Sequence, residues 1–160
     1  MRFIYTCVLA FLLSACSSLE ITVAKVLPTV AETNSITLFS LNNYTDTPQA
    51  GMRASNLIEG ALIAQGYTVA NAISLGAKSL QEQIKTASEN GSDYLLTGGV
   101  SEWRYKTGID GEPAISLHVK IIEVASGKTV WNATASSNDW GNASIGTTAQ
   151  QMIETMFQVP

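Results

Sequence analysis

From Ile36 onward the chain alternates between two apolar spacings, a period of two that buries one face of a strand and a period near 3.6 that buries one stripe of a helix. "ITLFSL" (Ile36 to Leu41) reads as a short buried strand, closed by the turn-rich "NNYTDTP". Thr47 before Pro48 predicts a helix start, with threonine as N-cap and proline near the first helical position. Ala54, Leu57, Ile58, Ala61 and Leu62 then fall on one helical face, and Gly66 stands where a C-terminal glycine belongs. "YTVANAI" (Tyr67 to Ile73) suits a second strand. Ser79-Leu80-Gln81-Glu82 forms a capping box for a short helix with Leu80, Ile84 and Ala87 inward, ended by Gly91.

Strand character returns from Asp93 to Lys106, with Trp103 and Tyr105 on one face and Glu102, Arg104 and Lys106 on the other. Ile115, Leu117, Val119 and Ile121 alternate with Ser116, His118 and Lys120, the mark of a half-buried strand. The turn at Ser126 to Lys128 leads into "TVWNATA", which completes a three-strand meander, and a helix near Ala143 to Phe157 carries one apolar stripe, from Ile145 to Phe157. Strand, helix, strand, helix, three strands and helix describe an α+β fold, an α/β sandwich with a mixed sheet and about three helices.

The first 35 residues follow another logic. "MRFIYTCVLAFLLSAC" has one positive charge at Arg2, an apolar run from Phe3 to Leu13, and small residues leading to a cysteine. A bilayer crossing needs about 20 apolar residues, so the run predicts a signal peptide over 1–15. Leu13-Ser14-Ala15-Cys16 matches the lipobox of bacterial lipoproteins, in which Cys16 is lipidated and becomes the first residue. Ser17, where aspartate is absent, resembles lipoproteins sorted to the outer membrane. Residues 16–35 then serve as a lipidated tether, within which Ile21 to Leu27 can add an edge strand, and 36–160 form a single domain. Cys7 leaves with the signal peptide and Cys16 carries lipid, so the mature chain keeps no thiol for a disulfide, a metal or a nucleophile. Removing Arg2 takes the net charge from −4 to −5, which argues against nucleic acid and fits either solubility or a cationic partner.

Charge is sparse in this chain, 14% of residues, yet "EWRYKTGIDGEP" (Glu102 to Pro113) carries five charged residues in twelve. Asp110 and Glu112 could be read as a glycosidase pair, but both lie on a turn flanked by Gly108 and Gly111, and a catalytic acid needs burial to raise its pKa. His118 has no second histidine to work with and sits on the polar side of its strand. Neither a G-x-S-x-G elbow nor a phosphate-cradling glycine loop occurs, so the residues point to no enzyme, no cofactor and no metal site. Trp103 and Trp131 read as packing residues inside strands. Trp140, in the polar stretch "SSNDWGNAS", reads either as tucked against the core or as a membrane-interface anchor.

The long block "LTGGVSEWRYKTGIDGEPAISLHVKIIEVASGKTVW", together with "NYTDTPQAGMRAS" and Trp140 before the last helix, resembles the PelC family, outer-membrane lipoproteins of Pel exopolysaccharide export in biofilm formation. The segment from Leu19 to Ser35 departs from the short family tether. The resemblance implies a domain similar to the anticodon-binding-like N-terminal domain of TolB, assembled as a dodecameric ring on the periplasmic face of the outer membrane. It implies work with the export barrel PelB on a partly deacetylated, amino-sugar-rich and therefore cationic polysaccharide, and no catalysis. It places the family's acidic aperture residue on Asp110, with Glu112 as a secondary guidance residue, and its membrane-proximal tryptophan on Trp140. From the residues alone two alternatives stay open: a monomeric periplasmic accessory lipoprotein that activates an envelope enzyme, and a sugar-binding module.

Overall fold

The computed structural model of the chain describes residues 17–28, 35–76, 78–107, 111–140 and 143–158; the expected signal peptide lies outside them. The elements run β1 (Ser18–Ala24), β2 (Ser35–Phe39), β3 (Asn42–Asn43), α1 (Ala50–Ala64), β4 (Thr68–Ala72), a 3-10 turn (Ile73–Leu75), α2 (Leu80–Glu89), β5 (Tyr94–Tyr105), β6 (Pro113–Glu123), β7 (Thr129–Asn138) and α3 (Ile145–Gln158). Among the described residues the strands form one mixed sheet in the order β1-β7-β6-β5-β2-β4, with β3 joining β5 beyond the end of β2. The antiparallel part is the expected meander extended by β1, and the parallel part is β4, β2 and the first residues of β5.

Within the expected tether, the edge strand that the sequence allows at Ile21 to Leu27 is present at 18–24, paired along its whole length with β7, from Ser18 opposite Asn138 to Ala24 opposite Asn132. Ile21 and Val23 explain this: they alternate with polar residues and pack against the core.

Two apolar clusters occupy the two faces of the sheet. Successive strand residues point to opposite sides, and Leu38 and Phe39, Leu96 and Leu95, and Ile121 and Ile122 divide between the clusters in that way. The larger one lies under α1 and α3, where Trp131 stacks on Phe157 with centroids 5.2 Å apart and 18° between the planes. The smaller one, Phe39, Ala72, Leu95 and Ile122, is covered by Ala87 and Ile84 of α2. The remainder of that second face, toward β6, β7 and β1, stays open and polar.

Helix α1 begins later than Thr47 suggests. The Thr47 hydroxyl donates instead to the carbonyl of Trp103, and Gln49, at φ 60°, takes the N-cap position. The helix lies close to the strands because its buried face is small. Gly51 sits so near β3 that a Cβ there would come within 1.9 Å of the Leu41 carbonyl oxygen. Next to it the Ser55 hydroxyl accepts from Leu41 N–H and donates to Gly51 O, both at 2.9 Å. Gly66, at φ 91°, ends the helix as expected.

The capping box of α2 is present in both directions. Its inward stripe, however, runs through Gln83, Ile84 and Ala87, while Leu80 is 48% exposed. The Gln83 amide donates to Lys78 O at 3.1 Å, which lets that polar side chain be buried in place of Leu80.

On the open polar face Ser116 and Ser136 share a hydrogen bond at 2.9 Å, and His118 stands between Gly99 and Thr134 in register. Partial burial, and next the Lys120 ammonium, hold the His118 imidazole below its ordinary pKa. The folded state therefore takes up this proton less readily than the unfolded chain. Stability linked to His118 is present above about pH 6.5 and is lost as pH falls through the lower folded value. His118→Asn is expected to flatten part of the fall in denaturation midpoint between pH 7 and pH 5; an unchanged slope refutes the linkage. Removing the stacked ring with Trp131→Ala is expected to cost about 3–5 kcal/mol in denaturant unfolding, and a loss under ~1 kcal/mol would show that α3 is not held through this pair.

Candidate functional site

Strand register brings two of the residues singled out in the sequence, Glu112 and Trp140, to one end of the sheet. Tyr105 at the end of β5 is opposite Pro113 at the start of β6, Ala114 is opposite Asn138 at the end of β7, and Asn138 is opposite Ser18 at the start of β1. The β5–β6 hairpin, the exit of β7 toward Trp140 and the N-terminal end of the described chain are thus neighbours. Asp139 N–H donating to Pro113 O at 3.3 Å ties the β7 exit to the hairpin base.

The hairpin base is closed by Lys106 N–H to Glu112 O at 2.7 Å, and the same residues pair through side chains, ammonium to carboxylate, at 3.5 Å. Arg104 and Glu102 make a second pair at 2.8 Å. Both pairs are partly solvated, so each contributes at most about 1 kcal/mol. Their effect on charge is clearer: the two cations of the block each face one of its carboxylates, and Glu112 is a locally compensated anion. The remaining acid of the block, Asp110, and the expected lipidation residue, Cys16, lie outside the described residues.

Trp140 is 54% exposed, and its backbone N–H donates to the Asp139 carboxylate at 2.8 Å. At this exposure it is not tucked into the core. Trp103 and Trp131 are buried, as packing residues should be. Tyr105, grouped with Trp103 by alternation, is 50% exposed because it lies at the strand terminus beyond the helices' cover. Its hydroxyl accepts the Ile145 N–H at 3.2 Å and so pins the start of α3 to β5. A cleft of about 690 Å³ opens there between α1, β5 and α3, lined by Arg53, Leu57, Trp103, Tyr105 and Ile145 among others. Leu19, opposite Ser137, adds a third exposed apolar side chain to this end. Sequence reasoning misses Tyr105 as a surface residue; the signal available was its place at a strand end, where alternation no longer implies burial.

Chemically the end is an apolar and aromatic rim beside a paired-charge hairpin. Among the described residues no three His, Cys, Asp or Glu side chains are grouped to hold a metal ion, and no helix is long and apolar enough to cross a membrane. His118 lies in mid-sheet, away from Glu112 and Trp140 along β6.

No family model matches the chain, and no curated protein sequence matches it. Solved structures do. A single-substitution variant of PelC from Paraburkholderia phytofirmans, a dodecamer, aligns with a TM-score of 0.76 at 30% identity, over 86% of this chain and 95% of that one. A second PelC dodecamer from the same organism gives 0.75 at 29%, over 87% and 94%. Lipoprotein GNA1162 from Neisseria meningitidis, at 20% identity and a TM-score of 0.57 over 79% of this chain and 99% of its own, shares the fold. With 30% identity sustained across nearly the whole of a PelC chain, this protein belongs to the PelC family.

Proposed function

We propose that the protein is a lipid-anchored subunit of a homo-oligomeric ring on the periplasmic face of the outer membrane. The ring guides a cationic, amino-sugar-rich exopolysaccharide toward its export barrel, a partner of the PelB kind. The observation that carries this reading is the convergence at one sheet end of the chain's N-terminal side, exposed Trp140 and the charged hairpin. A chain anchored through Cys16 enters the fold two residues later at Ser18, and Ser18 is opposite Asn138, two residues before Trp140. An exposed tryptophan beside a lipid attachment point suits the headgroup region, and more than one acyl chain gives stable attachment. The PelC structures from P. phytofirmans are dodecamers, which supports a ring here as well.

Cyclic symmetry supplies what one carboxylate lacks. The field of a lone exposed charge dies within about 8 Å at physiological salt, whereas a ring repeats the charge around a hole and concentrates counter-ions there. Glu112 faces Lys106 within its own subunit, so Asp110 is the leading guidance residue and Glu112 the secondary one.

Asp110→Ala is expected to lower polymer secretion severalfold while lipidation and the ring seen by native mass spectrometry stay intact, with Glu112→Gln giving a smaller loss. Normal secretion by both variants and by the double variant overturns electrostatic guidance. For the membrane contact, adding liposomes to the acylated protein should blue-shift tryptophan emission in the native chain and not in Trp140→Ser. Equal shifts in both would remove Trp140 from the interface.

A further inference from the structure

Away from the sheet end, the open polar face carries one large aromatic among the described residues. Leaving β3, the chain places Tyr44 over β5, where its N–H donates to Val100 O at 2.9 Å. The ring stands over Gly99: a Cβ on that residue would lie 2.5 Å from Tyr44 Cε2, 3.0 Å from Cδ2 and 3.0 Å from His118 Cε1. Any other residue at position 99 would push the ring away. A glycine inside a strand often marks such a close approach, so Gly98-Gly99 is a sequence signal for this arrangement that alternation alone passes over. Despite this seat the side chain is 66% exposed. The ring is therefore positioned by backbone and sheet yet left open to solvent, and little further ordering is required when something binds it.

Beside the ring lies a cleft of about 410 Å³ whose lining includes Thr45, Asp46, Ser101, Glu102 and Ser116. That volume is within the range of small-ligand sites, which pair an apolar surface with a few convergent polar groups. Glu102 is engaged by Arg104, whereas Asp46 makes no ion pair among the described residues. A carboxylate and hydroxyls next to an exposed aromatic face match a ligand with one apolar face, several hydroxyls and a positive charge. The aromatic quadrupole attracts an ammonium group, and the carboxylate adds a charge-assisted hydrogen bond.

We infer that Tyr44 and Asp46, on the floor formed by Gly99, make a subsite for a protonated amino-sugar unit. The assignment of its natural ligand as a stretch of exported polymer rests on the proposed function; the subsite itself does not. Binding at each unit is weak and fast to reverse, as transit of a polymer requires.

The probes are a glucosamine tetramer and its fully N-acetylated counterpart, titrated into the intact ring and followed by NMR shifts or calorimetry. Saturable binding of the glucosamine tetramer is expected. Tyr44→Ala should weaken it about two- to fivefold, the factor matching an exposed cation–π contact of ~0.5–1 kcal/mol; Tyr44→Phe should restore it, and Asp46→Asn should weaken the glucosamine tetramer but not the acetylated one. No binding at about 10 mM, a concentration that fills even a millimolar site, or equal binding by Tyr44→Ala, overturns the subsite. So does a changed ring stoichiometry in Tyr44→Ala, which would make Tyr44 a subunit contact. Loss of the subsite while Asp110→Ala still impairs secretion leaves guidance standing; a working subsite with unimpaired Asp110→Ala secretion leaves the subsite and removes guidance.

Discussion

Antiparallel register along β1, β7, β6 and β5 is the constraint on which the other features depend. Side chains alternate with a period of two, so a slip of one residue would turn Trp131 out of the core and carry Thr134 into it. The large inward residues prevent this. Trp131 against Phe157, with Ile115, Leu117, Val119 and Ile121 on the neighbouring strand, locks the ladder from the helix side. Once the register is set, the positions of Ser18, Pro113, Asn138 and hence Trp140 follow, since each is the terminal rung of a ladder. The sheet end that carries Trp140 and the hairpin base is thus built by packing near the middle of the molecule.

Electrostatics then works by cancellation. The hairpin block looked like a concentration of charge, but two of its acids face two of its bases at 2.8 and 3.5 Å. These pairs stabilise little, because solvent screens them. What they do is leave the block with the formal charge of a single acid, at position 110. Under the proposed guidance role, a subunit of modest net charge would contribute one uncompensated acid per copy without the self-repulsion that a heavily acidic surface would bring.

Most elements were legible because their signals are local. Alternation in β6 and β7, the apolar stripe of α3, the capping box of α2 and the glycine ending α1 each involve a few neighbouring residues, and each is seen in the structure. Misreadings arose where a distant partner decided. Thr47 gives its hydroxyl to Trp103, 56 residues away, and so does not cap α1. Leu80 is left outside because α2 meets the sheet through Gln83, Ile84 and Ala87. The edge strand that the sequence allowed at Ile21 to Leu27 is present but spans 18–24, because β7, more than a hundred residues later, sets which rungs it fills. For the site, Trp140's exposure and the hairpin base were within reach of the sequence, whereas the pairing of Glu112 with Lys106 and the seat of Tyr44 on Gly99 needed side chains placed in space.

The pairing of β1 also decides how the domain bears load. Bonds of an antiparallel ladder run perpendicular to the strands, and β1 is joined to β7 over seven consecutive residue pairs, starting at Ser18. For a chain held by lipid at residue 16, a pull along β1 strains all of those rungs together in shear. A pull across the sheet would open them one at a time. An edge strand that adds modestly to equilibrium stability would therefore act as a mechanical grip, resisting a pull on the N-terminal end of the domain along the strand.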